Sequence, residues 1–457
     1  MSTNLFNPAD KRSYPARWPL IRGKQLFQEI DERSKDGTEE LLSVSHITGI
    51  TPRSQKNVTM FQAESLVGYK LCKIGDIAAN TMWTWQGAIG VSKFAGVVSP
   101  AYNVYRPKSD IFNPQYLDML LRERQLVDVY HSLSTGIRPS RLRLYPDVFL
   151  TIKLPVPPRE EQDQIVRFLD WKVSSINKLI NIKKNMIALL ENRKKSIING
   201  VLAGGASNSV CKESVIEGLL TIPTTWDERP LKFYASSNDE SLSSRTPSNY
   251  EFNYIDISTT GFRKLKKEPV CTTFEEAPSR ARRIVREGDT ILSTVRTYLK
   301  AILYIDNTKD GNVVSTGFAV LRPKDGVYPP LLSYALSCDY FINAVIRYSI
   351  GISYPAINDK KLLSLKLALP KSYDEQVKVY EQIKALTEST DITIEYLRDM
   401  VNGLQDLKAR LISDTVTGKI DVRGIDIPEY EFVDEDTDMD NEDDGEGETE
   451  EQEGAEE

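Results

Sequence analysis

The chain has 457 residues, enough for two to four domains, and 40% of them are hydrophobic, enough to bury a sizeable core. Its first residues, Met1-Ser-Thr-Asn-Leu-Phe-Asn-Pro8, lack the apolar core of a secretory leader. No window approaches the roughly 18 apolar residues of a membrane span. The net charge is −7, yet 15 acidic residues and no Lys or Arg lie between 434 and 457, so residues 1–433 carry +8.

In chain order, residues 1–157 mix short strand-like runs, turns and brief helices, and read as an α/β lobe. Gly75-Asp76 is a turn leading into a strand from Ile77. Asn113 caps and Pro114 opens a short helix through Tyr116-Leu-Asp-Met-Leu-Leu121. At 154–162, Leu-Pro-Val-Pro-Pro-Arg-Glu-Glu-Gln, the prolines stop the last strand. Pro158, Glu160 and Glu161 then favour the start of a helix.

That helix is expected over 158–203. Ile165, Leu169, Val173, Ile176, Ile180, Ile187, Leu190 and Ile197 fall at coiled-coil spacing, with Lys183 and Lys194 in the gaps. Residues 204–371 form a linker and a second α/β lobe. This lobe includes a strand at Gly317-Phe-Ala-Val-Leu-Arg-Pro323 and a helix at Pro330-Leu-Leu-Ser-Tyr-Ala-Leu336. A second long helix is expected over 372–422, with a seam of Val379, Ile383, Leu386, Thr390, Thr393, Leu397, Met400, Leu404, Leu407 and Leu411. The acidic tail, 423–457, is too polar to repay the entropy of folding and is expected to be disordered.

The chain is a tandem repeat. Pro15-Ala-Arg-Trp18 returns as Pro223-Thr-Thr-Trp226, and Lys73-Ile-Gly-Asp76 as Arg286-Glu-Gly-Asp289. Val97-Val-Ser99 and Arg106-Pro-Lys108 return as Val313-Val-Ser315 and Arg322-Pro-Lys324. Ser134-Thr-Gly-Ile137 returns as Ser349-Ile-Gly-Ile352, and Glu161-Gln162 as Glu375-Gln376. The offsets lie between 208 and 216 and keep the same order. The fold class is therefore a mixed α+β, pseudo-symmetric repeat of lobe, helix, lobe, helix. Antiparallel packing of the helices as a coiled coil would place the lobes at opposite ends.

Catalytic signatures are missing. The two histidines, His46 and His131, stand far apart, and there is no HExxH, P-loop or nucleophile elbow. The scattered Cys72, Cys211, Cys271 and Cys338 form no CxxC pair, which fits a reducing, cytoplasmic setting and neither a zinc site nor a disulfide framework. Asn113-Pro-Gln-Tyr116 is faintly like the Asn/Asp-Pro-Pro-Tyr/Phe motif of adenine methyltransferases, but no Gly-rich cofactor loop precedes it. Asp147 and Lys153 lack the second acid of a nuclease, since Thr151 stands in its place.

Basic and aromatic clusters point to nucleic acid. Residues 261–300 hold ten Lys or Arg against five acids. Among them Lys264, Lys266, Arg280, Arg282, Arg283, Arg296 and Lys300, with Tyr298 and Tyr354, are candidate DNA contacts. In the first repeat the candidates are Trp83, Trp85, Gln86, Arg138, Arg141 and Arg143. Lys and Arg neutralise phosphates, and Arg and Gln can read base edges. The alternative for any one of them is a solvated surface charge, or a core position for Trp83 and Trp85. The acidic tail is then either a solubilising appendage or a competitor for the same basic surface.

These features resemble the specificity subunit of type I restriction-modification enzymes. The resemblance rests on residues 154–165 leading into a helix that closes in Ile197-Ile-Asn-Gly-Val-Leu-Ala-Gly204. It is repeated from Asp374-Glu-Gln376 to Asp414-Thr-Val-Thr-Gly-Lys419, and joined by Val314-Ser-Thr-Gly-Phe-Ala-Val-Leu-Arg-Pro323 and Gly351-Ile-Ser-Tyr-Pro-Ala-Ile357. It covers about 15–422. It implies two target-recognition domains that read a bipartite double-stranded DNA target, and two spacer helices that measure the gap and dock two methyltransferase subunits. Two restriction subunits complete the enzyme, whose role is phage defence. S-adenosylmethionine, ATP and Mg²⁺ then belong to the partners, and this chain holds no metal and no catalytic site. Lys371-Ser-Tyr373 departs from Pro157-Pro-Arg159, so the second helix is expected to start differently. The other readings are a stand-alone DNA methyltransferase or nuclease, and a coiled-coil scaffold.

Overall fold

The structure is a computed structural model that describes residues 14–55, 65–136, 142–204, 210–351 and 354–434. It divides into two compact units, Met1–Asn185 with Arg398–Glu457, and Met186–Leu397. Each unit contains one lobe and a part of both long helices, so the division cuts through the helices rather than at their ends.

In the first unit, a four-stranded antiparallel sheet runs in the order Phe27–Ile30, Asn103–Pro107, Ile77–Ala79, Ile89–Val91. Two further ladders pair Leu42–Ser45 with Gly49–Pro52, and Lys70–Cys72 with Gly96–Val98, and a parallel bridge from Leu41 to Val97 joins them. Ile30, Ala78 and Val104 of the first sheet share a core with Leu42, Val44, Cys72 and Val98.

The second unit repeats this topology. One sheet runs Ala235–Ser237, Phe318–Pro323, Thr290–Ser293, Ile302–Tyr304. The other runs Val270–Thr273, Glu251–Ile255, Val313–Ser315, Ala281–Ile284, and again its middle pair is parallel. Helices Pro114–Leu121 and Arg124–Leu133 in the first lobe correspond to Pro329–Leu336 and Asp339–Arg347 in the second. Asn113 accepts hydrogen bonds from the Gln115 and Tyr116 amides, so it is a helix cap.

The repeated sequence motifs are the halves of repeated ion clusters. Asp76 is buried, and Arg106 donates to its two oxygens at 2.7 and 2.8 Å while also reaching Glu32. Asp289 is equally buried, and Arg322 donates to it at 3.0 and 2.8 Å while also reaching Glu240. In each lobe the aspartate also accepts the amide of the first motif residue, Lys73 or Arg286. A buried carboxylate is costly unless paired, which is why Gly-Asp and Arg-Pro-Lys occur together in both lobes.

The long helices are Arg159–Leu202 and Tyr373–Val416, 44 residues each, or about 66 Å. Their starts share one device. Gln162, fully buried, donates to the Pro157 and Ile111 carbonyls at 2.9 and 3.0 Å and accepts from the Asn113 amide at 2.8 Å. Gln376 donates to the Pro370 and Gly326 carbonyls, both at 3.1 Å, and accepts from the Tyr328 amide at 2.7 Å. The loss of the double proline therefore leaves the second junction built like the first.

The helices pack antiparallel inside each unit. In the first, Ile165, Leu169 and Phe168 share a core with Leu411, Ile412 and Val416. In the second, Ile197, Ile198 and Val201 share a core with Val379, Tyr380 and Ile383. On the first helix Ile165, Leu169, Ile176 and Ile180 are buried, while Ile187 and Leu190 are half-buried. On the second, Ile383, Thr390 and Leu397 are buried and Leu404 and Leu411 half-buried, but Leu386 and Leu407 are exposed. The intervening seam positions are Thr387, Ile394 and Val401 instead. Hydrophobicity alone picked the leucines at three-residue steps; the partner surface selects the residues at four.

The second helix stops at Val416, short of 422, because Gly418 at φ +75° turns the chain out of it. The following segment, expected to be disordered from 423, is placed as far as 434. Ile420, Ile425 and Ile427 pack on the first lobe's core. Gln164 donates to the Val422 and Ile425 carbonyls, and Asn177 to that of Val433. These apolar residues supply burial that the acidic stretch cannot. Residues 435–457 lie outside the described residues.

Leu386→Ala should change stability by less than about 0.5 kcal/mol, whereas Ile394→Ala should cost about 2–4 kcal/mol; denaturant unfolding of both variants checks the register. Arg286, then Arg322, holds the Glu240 carboxyl down from 4.5 to about 2. The depressed pKa adds stability above about pH 4.5 that is lost as pH falls towards 2. Glu240→Gln should therefore flatten the acid-unfolding curve across that window, and an unchanged curve would refute the cluster's contribution.

Candidate nucleic-acid interface

In the second lobe two loops lie side by side. One, 294–301, follows the strand Thr290–Ser293; the other follows the helix Asp339–Arg347. Bridges pair Ala356 with both Val295 and Ile350. The Arg296 amide donates to the Pro355 carbonyl at 2.8 Å, and the Ile357 amide to that of Thr294 at 2.9 Å. The Thr297 and Ser349 hydroxyls are 2.8 Å apart. Together these contacts present Arg296, Tyr298, Leu299, Lys300 and Tyr354, all exposed. The Arg296 guanidinium lies 4.6 Å above the Tyr354 ring.

The first lobe juxtaposes the same two loops. A bridge joins Thr135 to Arg143, matching that from Ile350 to Ala356, and the Leu144 amide donates to the Thr81 carbonyl. Here the first loop carries Trp83 and Trp85, stacked with centroids 6.1 Å apart, and exposed Gln86. Both indoles are half-buried, and Trp85 is pinned by its own N–H to the Met82 carbonyl at 2.7 Å and by the His131 ring at 5.5 Å. Arg143 is exposed, while Arg138 and Arg141 fall outside the described residues.

Other candidates are placed differently. Arg280 is exposed and pairs with Asp256 at 3.3 Å. Arg282 is half-buried over the Phe274 ring. Arg283 is turned inward: its guanidinium donates to the Phe318 carbonyl, and burial pulls its pKa down. The run Arg280 to Arg283 is therefore not one surface: Arg280 precedes the strand Ala281–Ile284, and a bulge between Ala281 and Arg283 re-aims the side chains within it. Lys264 and Lys266 are exposed, and Lys264 reaches Glu191 of the first long helix at 3.7 Å. Arg263 is also inside, under the Tyr334 ring at 3.8 Å and bonded to the Ser333 carbonyl.

Sequence reading missed Leu299, on the turn that follows Arg296, and Ile350, which pairs with Ala356; both are exposed. It also missed the backbone that presents them, since Arg296 and Lys300 sit at φ +49° and +53°, where non-glycine residues are uncommon. No residue type announces such a turn. Among the described residues no group of three or more His, Cys, Asp or Glu could hold a metal ion, and no helix is long and apolar enough to cross a membrane.

Comparison with known proteins shows what the chain is similar to. Residues 234–398 match the family described as Type I restriction modification DNA specificity domain. The type I restriction enzyme MjaVIII specificity subunit of Methanocaldococcus jannaschii is 24% identical over 89% of this chain and 91% of its own length. The putative MjaX specificity subunit of the same organism is 25% identical over 70% of this chain and 71% of its own. In fold, the chain is similar, with a TM-score of 0.56 and 16% identity, to a solved chain from a study of complex assembly and conformational transition in a type I R-M system, covering 89% of this chain and all of that one. Residues 234–398 thus match the type I restriction-modification DNA specificity domain, and the chain is, along nearly its whole length, similar to a specificity subunit of a type I restriction enzyme.

Proposed function

We propose that this chain is a non-catalytic subunit that reads a bipartite DNA target, one half per lobe, and directs methyltransferase and restriction subunits to it. The observation that carries the reading is the repeated juxtaposition of the same two loops on a repeated frame, with different side chains in each lobe. A shared frame positions two readers alike; different side chains let them read different bases. The antiparallel helices are the spacer. Half-sites on one face of a duplex lie about 34 Å apart or a multiple of it, a span within the reach of helices this long.

The first long helix supports the docking of partners. Leu179, Ile182, Met186 and Leu189 are exposed at steps of three and four, an apolar stripe of the kind that marks an interaction surface. In this proposal two methyltransferase subunits pack there and two restriction subunits join them, in the cytoplasm. S-adenosylmethionine, ATP and Mg²⁺ belong to those partners, and no residue of this chain is assigned to hold them.

The functional test is reconstitution. The chain with its methyltransferase subunit should bind and methylate a discontinuous DNA sequence, while the isolated chain methylates nothing; methylation by the isolated chain would overturn the reading. Matched seven-residue insertions in both helices keep the heptad register and add about 10 Å. They should lengthen the unread spacer with both half-sites unchanged, as mapped by sequencing of methylated bases; unaltered spacing would refute the spacer role. Arg283→Ala should destabilise the second lobe by about 1–3 kcal/mol, through the orphaned Phe318 carbonyl, with the salt dependence of binding unchanged. Lys300→Ala should leave stability intact and lower the slope of log K against log salt by about 1, the signature of one phosphate contact.

A further inference from the structure

We infer that Arg296 reads a guanine in the half-site of the second lobe, and that Tyr354 is the positioning residue that holds it in the reading pose. The inference rests on the functional reading above and deepens it to a base.

Three observations converge on Arg296. The first is its freedom to bond outward. Arg280 is paired with Asp256, Arg283 with the Phe318 carbonyl, and Arg286 and Arg322 with Glu240. Arg296 is exposed, and among the described residues none accepts a hydrogen bond from its guanidinium. The second is orientation. The Tyr354 ring lies 4.6 Å from the guanidinium carbon. A ring on the face of the cation leaves the in-plane N–H donors open and lowers the entropy lost when they bond. The third is the backbone. Arg296 is held at φ +49°, ψ +47° by the Pro355 carbonyl on its own amide and by the Thr297–Ser349 hydroxyl pair next to it. Sparsely populated backbone conformations persist where surrounding structure over-determines them, and they concentrate at functional sites.

The chemistry then selects the base. An arginine fork presents two parallel donors, and the major-groove edge of guanine presents two acceptors, O6 and N7, at matching spacing. Adenine offers N7 beside an amino donor, which repels the fork. Tyr298 and Leu299 flank the reader on the same turn, exposed and apolar enough to exclude water from the contact.

The test uses the chain assembled with its methyltransferase subunit and duplexes carrying its mapped target. Each duplex replaces one guanine of the second half-site by 7-deazaguanine, which removes N7, or by adenine. The wild-type complex should lose affinity about 5- to 150-fold at one such position. Arg296→Met removes the donors but keeps an unbranched side chain. It should bind the target and its 7-deazaguanine form equally at that position, with the first half-site still read normally. Tyr354→Phe should discriminate like the wild type, and Tyr354→Ala should lose discrimination at the same base pair alone, with its thermal midpoint unchanged. Full discrimination by Arg296→Met at every guanine would overturn the assignment of Arg296 while leaving the functional reading in place. Unimpaired discrimination by Tyr354→Ala would overturn the positioning role. Failure of the wild-type complex to prefer any sequence would overturn the functional reading, and this inference with it.

Discussion

In both lobes the tie between lobe and long helix is a buried glutamine. Gln162 and Gln376 each sit in the first turn of a long helix and spend both ends of the amide on the lobe behind them. Each donates twice to carbonyls and accepts one backbone N–H. In a low-dielectric junction such an amide is expensive if any bond is lost, so it admits one geometry between lobe and helix. The neighbouring glutamates reinforce it, since Glu161 accepts the Trp18 indole N–H and Glu375 that of Trp226.

Within each lobe a second constraint separates frame from reader. The buried Asp76 and Asp289 need Arg106 and Arg322, which lie on interior strands and also reach Glu32 and Glu240. With the frame held by these ion clusters, the loops can change without unfolding the sheet beneath. That division accounts for two lobes whose backbones repeat while one presents stacked indoles and an amide and the other a guanidinium over a phenol ring.

The helix seam trades stability for register. Thr387 and Thr390 are buried where leucines would pack better, and Lys194 is matched to Asp391 at 2.5 Å. Polar residues at seam positions weaken a coiled coil but disfavour slipped alignments. In the spacer role proposed for these helices, alignment would matter more than strength, because a slip of one turn moves about 5.4 Å.

The sequence by itself determined what depends on local order and repetition. The duplication, the α/β character of the lobes, the cap at Asn113 and the two long helices all follow from motif spacing, proline and glycine placement and apolar periodicity. What only the tertiary structure decided depends on direction. Leu386 and Thr387 are adjacent, and which of them faces the partner helix is set by that helix rather than by hydrophobicity. Arg280 and Arg283 are equally basic, yet the first, just ahead of the strand, faces solvent and Asp256, while the second, past a bulge in the strand, meets a carbonyl. Arg296 and Tyr354 stand 58 positions apart and meet only because two loops are stitched by backbone bonds. Charge and spacing can be read along a chain, but the side of an element on which a residue lies is fixed by what packs against it.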